Sequence, residues 1–232
     1  MLNIGVLALQ GGVAEHVSAL RQASERIEIP VSVRTVRTPE QLAGLDALLM
    51  PGGESTTLGL LLERQGMFGP IGAIPHLFGT CAGLILMAKE VEGKAEGQRG
   101  LALMDIRVSR NAYGSQSDSF ESRLEGELTG KTKILFIRAP KILGVGPGVQ
   151  VLASLPAKAS AEPAPPEASH SEKASPEPGH SSVPGEPVIV MQKQPGRIFL
   201  GATCHPELTT GKVHEFFLKQ VAGAADYTRP RK

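Results

Sequence analysis

A chain of 232 residues is long enough for one large domain or two small ones, and either could bury a sizeable core. Its 24 Lys and Arg against 23 Asp and Glu leave a formal charge of +1, which argues against a basic nucleic-acid groove or a surface for anionic membranes; the basic tail at 229–232 is too short to change that. Two cysteines cannot form a disulfide framework, and Met1-Leu2-Asn3 leads into an apolar run with no basic leader and no stretch of membrane-spanning length, so a soluble cytoplasmic protein is expected.

Residues 3–9 are apolar enough for a strand buried on both faces, and Gln10-Gly11-Gly12 breaks it before a helical stretch over 14–26. Residues 30–36 read as a second strand, 39–45 as a short helix and 46–50 as a third strand. Pro51-Gly52-Gly53-Glu54-Ser55 then turns the chain, with Ser55 and Thr56 as candidate N-caps of a helix through Gln65. The apolar run 74–78 leads through Gly79-Thr80-Cys81-Ala82-Gly83 into helical residues 84–88. Strands alternating with helices predict an α/β fold: a mostly parallel sheet covered on both sides, with ligands beyond the carboxyl ends of its strands. Gln10, Gly53 and Cys81 all fall at such ends.

Beyond Ala88 the texture changes. Residues 103–108, 120–128, 133–137, 150–154, 188–193 and 197–202 are strand-like with few helices between them, which predicts hairpins or a mixed extension. The last element is an amphipathic helix over 211–221, with Val213, Phe216, Phe217 and Val221 at helical spacing. Residues 156–187 are dominated by Pro, Ser, Ala and Glu and cannot bury enough surface to offset the entropy of ordering. Lying between two strand candidates, they are expected to be a disordered loop insertion within a single domain spanning 1–224, with 225–232 a flexible basic tail.

The glycines around Cys81 permit a sharp strand-to-helix turn that would hold the thiol out at a helix start, where the Ala82 N–H could stabilise an oxyanion. The same segment could equally be a buried structural cysteine in a packing turn. A thiol nucleophile needs a base. Of six histidines, His170 and His180 fall in the insertion, His16 and His214 on helices where solvated or packing roles are expected, and His76 inside a strand. His205 remains, in Cys204-His205-Pro206-Glu207-Leu208 at a strand end, where Glu207 could accept its ring N–H and fix its tautomer. An ordinary surface His and Glu would leave the same trace. Alternation turns Cys204 away from His205, as expected of a small buried hydrophobe. No Cys or His spacing suits zinc, and neither Gly11-Gly12 nor Gly52-Gly53 fits a phosphate-binding motif, so no metal or cofactor is expected.

With Cys81, His205 and Glu207 assembled, the chain resembles the class I glutamine amidotransferases and, more narrowly, the family of glutaminase subunits of pyridoxal 5′-phosphate synthase. The resemblance runs through Gly5-Val6-Leu7-Ala8-Leu9-Gln10-Gly11, Pro51-Gly52-Gly53-Glu54-Ser55-Thr56, residues 78–84, Ser109-Arg110-Asn111-Ala112-Tyr113-Gly114, Asp118-Ser119-Phe120-Glu121, Phe136-Ile137-Arg138-Ala139-Pro140 and His205-Pro206-Glu207-Leu208. It implies a three-layer α/β/α, flavodoxin-like glutaminase architecture. It further implies that Cys81 attacks the side-chain amide of L-glutamine, that His205 is the acid/base and that Glu207 orients it. Gly53 and Ala82 would supply the oxyanion hole, completed by the Gln10-Gly11 peptide when a barrel-shaped synthase subunit docks. Substrate contacts would come from Gly53, Glu54, Ser55, Arg110, Ile137 and Arg138; an arginine fork suits a carboxylate, and a carboxylate suits an ammonium.

Three departures from the family's pattern stand out: Ser115 replaces an arginine, Cys204 an aromatic residue, and Thr209-Thr210-Gly211 shortens a polar turn. A cysteine hydrolase of peptidase or deglycase type on the same fold, and an inactive scaffold partner of the synthase, are the rival readings. The first has no need of Arg110, Arg138 or the Pro-Gly-Gly-Glu-Ser segment, and the second would be expected to carry a broken triad.

Overall fold

The computed structural model describes residues 1–95, 97–110, 112, 119–126, 128–129, 132–156 and 185–228. Apolar segments β1 (Leu2–Leu7), β3 (Ala47–Met50), β4 (His76–Thr80) and β12 (Arg197–Ala202) are almost wholly buried and lie side by side in parallel, with β2 (Val31–Val36) added at the β1 edge. On the other side β11 (Glu186–Gln194) and β10 (Val149–Leu155) pair antiparallel, giving a seven-stranded sheet ordered β10-β11-β12-β4-β3-β1-β2. Taken alone, the parallel strands follow the order 2-1-3-4-5, the flavodoxin-like winding.

Successive strand residues face opposite layers. Leu48, Met50, Leu77 and Phe199 pack beneath α2 (Ser55–Arg64), α3 (Phe68–Ala73) and α4 (Ala82–Met87), whereas Ala47, Leu49, Phe78 and Leu200 pack beneath α1 (Val13–Ile27) and α5 (Lys212–Thr228). The molecule is therefore the expected three-layer α/β/α arrangement. Among the described residues no helix lies between Met87 and the short 3₁₀ turn Pro206–Leu208. That stretch instead forms β5 (Ala88–Glu92), β6 (Met104–Ser109) and β9 (Lys141–Val145) as one small sheet, and β7 (Ser119–Arg123) with β8 (Lys133–Ile137) as a hairpin.

Several boundaries differ from expectation. Ser55 and Thr56 do not cap α2; Glu54 does, its carboxylate accepting from Thr56 N at 2.9 Å and Thr57 N at 2.7 Å. The longer side chain reaches two free N–H groups, which a hydroxyl one residue later could not. The last helix continues past Val221 to Thr228, four residues into the expected tail, and β11 starts at Glu186, inside the expected insertion. Residues 157–184 and 229–232, and the Ser115 departure, lie outside the described residues.

Candidate active site

Four parallel strands deliver their carboxyl ends to one place. The turns after β1, β3 and β4, together with the segment leaving β12, bring Gln10, Gly11, Gly12, Gly52, Gly53, Glu54, Ser55, Cys81 and His205 to a single cavity of about 430 Å³; Ile85, Arg110, Ile137 and Arg138 complete its wall. Every residue singled out from the sequence lines it except Ala82 and Glu207. Ala82 is the buried first residue of α4, where a helix has free N–H groups; Glu207 stands behind His205.

Close backbone approach makes the cavity possible. A methyl group on Gly83 would lie 2.2 Å from the Met50 carbonyl oxygen, one on Gly11 1.9 Å from the Gly52 carbonyl, and one on Gly52 2.7 Å from His205 Cε1 and 3.3 Å from Cys81 Cβ. The elbow itself is strained: Cys81 has φ 47° and ψ −104°, and its N–H donates to Ala202 O at 2.9 Å, locking the turn to β12. Its sulfur lies 4.0 Å from the Ile137 carbonyl oxygen, at the end of the β7–β8 hairpin. The same hairpin holds the histidine, because His205 N donates to Leu135 O at 3.0 Å.

His205 Nδ1 lies 2.7 Å from Glu207 Oε1, and the glutamate side chain is only 2% exposed. Burial pulls the His205 pKa down, but hydrogen bonding to Cys81 and Glu207, with their negative charge, outweighs it and holds the ring at about 10. Cys204 is fully buried and its thiol is pushed upward by desolvation, as suits an inert hydrophobe. His76 is likewise buried, at the start of β4.

Elsewhere in the wall Arg110 Nη2 donates to Glu54 Oε1 at 3.0 Å and Thr56 Oγ1 at 2.9 Å, and Nη1 donates to Gln98 Oε1 at 2.8 Å. Desolvation raises the Glu54 pKa, but the hydrogen bonds from Thr56 and Thr57 outweigh it and bring it to about 2. The cation and the anion therefore stand together as a pair. Gln10 Oε1 accepts from Glu54 N at 3.1 Å, so the turns after β1 and β3 are joined across the cavity. Arg138, at φ 48°, is another strained residue in the wall.

Sequence reasoning missed Ile85 in the lining, and Thr56 and Gln98 as partners of Arg110. It also took His16 and His214 as solvated or packing residues. Both are fully buried, and His16 reaches the Glu207 carboxylate, its Nε2 3.5 Å from Glu207 Oε2.

The architecture is that of the class I glutamine amidotransferases: a solved glutamine amidotransferase superposes with a TM-score of 0.70 at 37% identity, covering 94% of this chain and 98% of that one. A solved GMP synthase component from Thermoplasma acidophilum shares the fold at 15% identity and a TM-score of 0.57, covering 99% of this chain and 98% of that one. The chain belongs to the SNO glutamine amidotransferase family, whose model matches residues 6–161. It is similar over nearly its whole length to proteins named pyridoxal 5′-phosphate synthase subunit PdxT. That of Thermococcus onnurineus is 40% identical over 95% of this chain and 99% of that protein, and that of Corynebacterium jeikeium 40% identical over 94% and 96%.

Proposed function

We propose that the chain is the glutaminase subunit of a pyridoxal 5′-phosphate synthase, hydrolysing L-glutamine to L-glutamate and ammonia through a γ-glutamyl thioester on Cys81. The observation that carries this reading is His205, hydrogen-bonded at 2.7 Å to a buried Glu207, sharing one cavity with a thiol on a strained elbow. The adjacent Arg110 and Glu54 suit the carboxylate and ammonium of an amino acid head group.

In this mechanism Cys81 Sγ, its proton already resting on His205, attacks the side-chain carbonyl carbon of glutamine. N–H groups of Gly53 and Ala82 receive the developing oxyanion. Collapse breaks the C–N bond as His205 returns the proton to the leaving nitrogen, releasing ammonia. Water then attacks the thioester, giving its proton to His205, and the sulfur leaves as the thiolate, which restores the starting pair. Ser55, Ile137 and Arg138 line the path of the substrate's chain, and Glu207 keeps the His205 tautomer correct.

Ammonia passes to a barrel-shaped synthase subunit in the cytoplasm. Docking of that subunit turns the Gln10-Gly11 peptide to complete the oxyanion hole, so the free glutaminase is weakly active; the Gln10 side-chain contact to Glu54 N is the link that such a movement would change. We read the described chain as one domain with a loop insertion, since β10 and β11 pair directly at Leu155 and Glu186 on either side of it.

The test is ammonia release from L-glutamine by the full chain, alone and with the synthase subunit. Cys81→Ala abolishes release in both while the circular dichroism spectrum is unchanged, and adding the synthase raises wild-type release severalfold. Retained release in Cys81→Ala would overturn the nucleophile assignment, and an inert wild type in a verified complex would restore the scaffold reading.

A further inference from the structure

Glu207 uses Oε1 to hold His205, and its second oxygen, Oε2, is buried without a hydrogen bond. A carboxylate held by one oxygen can swing about its terminal torsion, which is broad for glutamate. Behind Oε2 stands His16, from the first turn of α1: its Nε2 lies 3.5 Å from Oε2 and 3.1 Å from Thr80 Oγ1. His16 Nδ1 lies 2.9 Å from Nε2 of His214, on α5. Phe78 packs edge-on to His214 at 5.5 Å and to His16 at 6.3 Å, closing the group off.

The tautomers follow from satisfying this chain of atoms. If His214 Nε2 carries its proton, it donates to His16 Nδ1, and His16 Nε2 then carries a proton shared between Thr80 Oγ1 and Glu207 Oε2. The group left over is His214 Nδ1, a bare acceptor with no hydrogen bond. The reverse assignment would bury an unsatisfied N–H on His214 and turn a lone pair of His16 toward the carboxylate, which is worse at both ends. Both rings are neutral: desolvation holds His16 well below its ordinary pKa, with His214 and His205 adding to the effect, and brings His214 to about 3. A neutral N–H dipole can thus face the carboxylate without competing with His205 for its charge.

We propose that His16 is a positioning residue for the catalytic centre, its Nε2–H fixing Oε2 of Glu207 so that Oε1 stays on His205, with His214 and Thr80 fixing His16 in turn. This rests on the assignment of Cys81, His205 and Glu207 made above. It ties the triad to α1, to the residue immediately before the nucleophile, and to α5, none of which carries a triad member.

The experiment is steady-state glutaminase kinetics on full-length variants, with and without the synthase subunit. His16→Leu lowers kcat on the order of 30-fold, as a misdirected acid/base does, with KM within about twofold. His16→Gln, whose amide N–H can take the place of Nε2, recovers to within about fivefold of wild type. In a Glu207→Gln background, His16→Leu changes kcat less than about twofold, because the effect runs through the carboxylate. Full kcat in His16→Leu, equal losses in both backgrounds, or His16→Gln as impaired as His16→Leu would each overturn the proposal. Should the leucine variant fail to fold, ring ¹⁵N spectra of the wild-type protein decide: protonated Nε2 with bare Nδ1 on His16 supports it, and the opposite tautomer overturns it. Failure of the triad assignment is separately visible as ammonia release by Cys81→Ala.

Discussion

Cys81 occupies a backbone conformation that costs a β-carbon-bearing residue about 1–3 kcal/mol, and it is retained because the Cys81 N–H to Ala202 O bond and the close-packed glycines leave the turn no alternative. Gly52 bears on function more than on folding. An added methyl would meet His205 Cε1, the edge of a side chain that can swing, rather than rigid backbone. Gly52→Ala is therefore expected to lower kcat on the order of 100-fold while shifting the melting temperature little, measured by ammonia release and thermal unfolding. Gly83→Ala behaves oppositely: its methyl meets the Met50 carbonyl, so stability falls by about 3 kcal/mol in urea unfolding. His205 also makes stability depend on pH. Its pKa rises from 6.5 to about 10 on folding, so the folded state holds a proton that the unfolded chain releases. The advantage of wild type over His205→Asn is then complete below about pH 6.5 and lost as pH rises through about 10, a trend that urea titrations at several pH values measure.

Elements were legible where pattern and chemistry agree. The four buried parallel strands and α1 were expected near their observed positions because each is an apolar or amphipathic run bounded by Gly or Pro. The short α3 was missed because Phe68–Ala73 contains two glycines and a proline; it is held by burial of Phe68 and Ile71, a tertiary effect that propensity does not contain. β5 and β9 were missed for a related reason: five-residue strands gain definition from pairing with β6, not from their own sequence. Glu54 shows a function hidden by another. Expected as a ligand group, it also caps α2 and ion-pairs Arg110, so Glu54→Ala is expected to cost about 1 kcal/mol of stability and to raise KM for glutamine severalfold. The hairpin at the insertion gives a further test. Leu155 and Glu186 are paired, so replacing 156–185 by Asn-Gly leaves a two-residue turn suited to antiparallel strands. That variant is expected to fold with a melting temperature no lower than wild type and to keep glutaminase activity.

At the scale of the whole molecule, the winding order of the parallel strands decides where chemistry can occur. Strand ends β1, β3, β4 and β12 adjoin, so residues far apart in the chain, from Gln10 to His205, share one cavity. The sequence marked those positions by their turn residues and motifs, and the resemblance supplied the roles proposed for them. It could not reveal that His16 and His214, 198 residues apart, would meet at 2.9 Å behind Glu207, since only the crossing of α1 and α5 over the sheet brings them together. It likewise matched Glu54 and Arg110 to separate charges of a substrate, whereas the fold also pairs them with each other. The central claim is covalent, and the most direct measurement is mass spectrometry of the full chain quenched in acid during turnover of L-glutamine, followed by peptide mapping. A γ-glutamyl adduct on the Cys81 peptide, absent from Cys81→Ala, is the predicted result. Turnover with no adduct on Cys81, or an adduct on the Cys204 peptide instead, would contradict it.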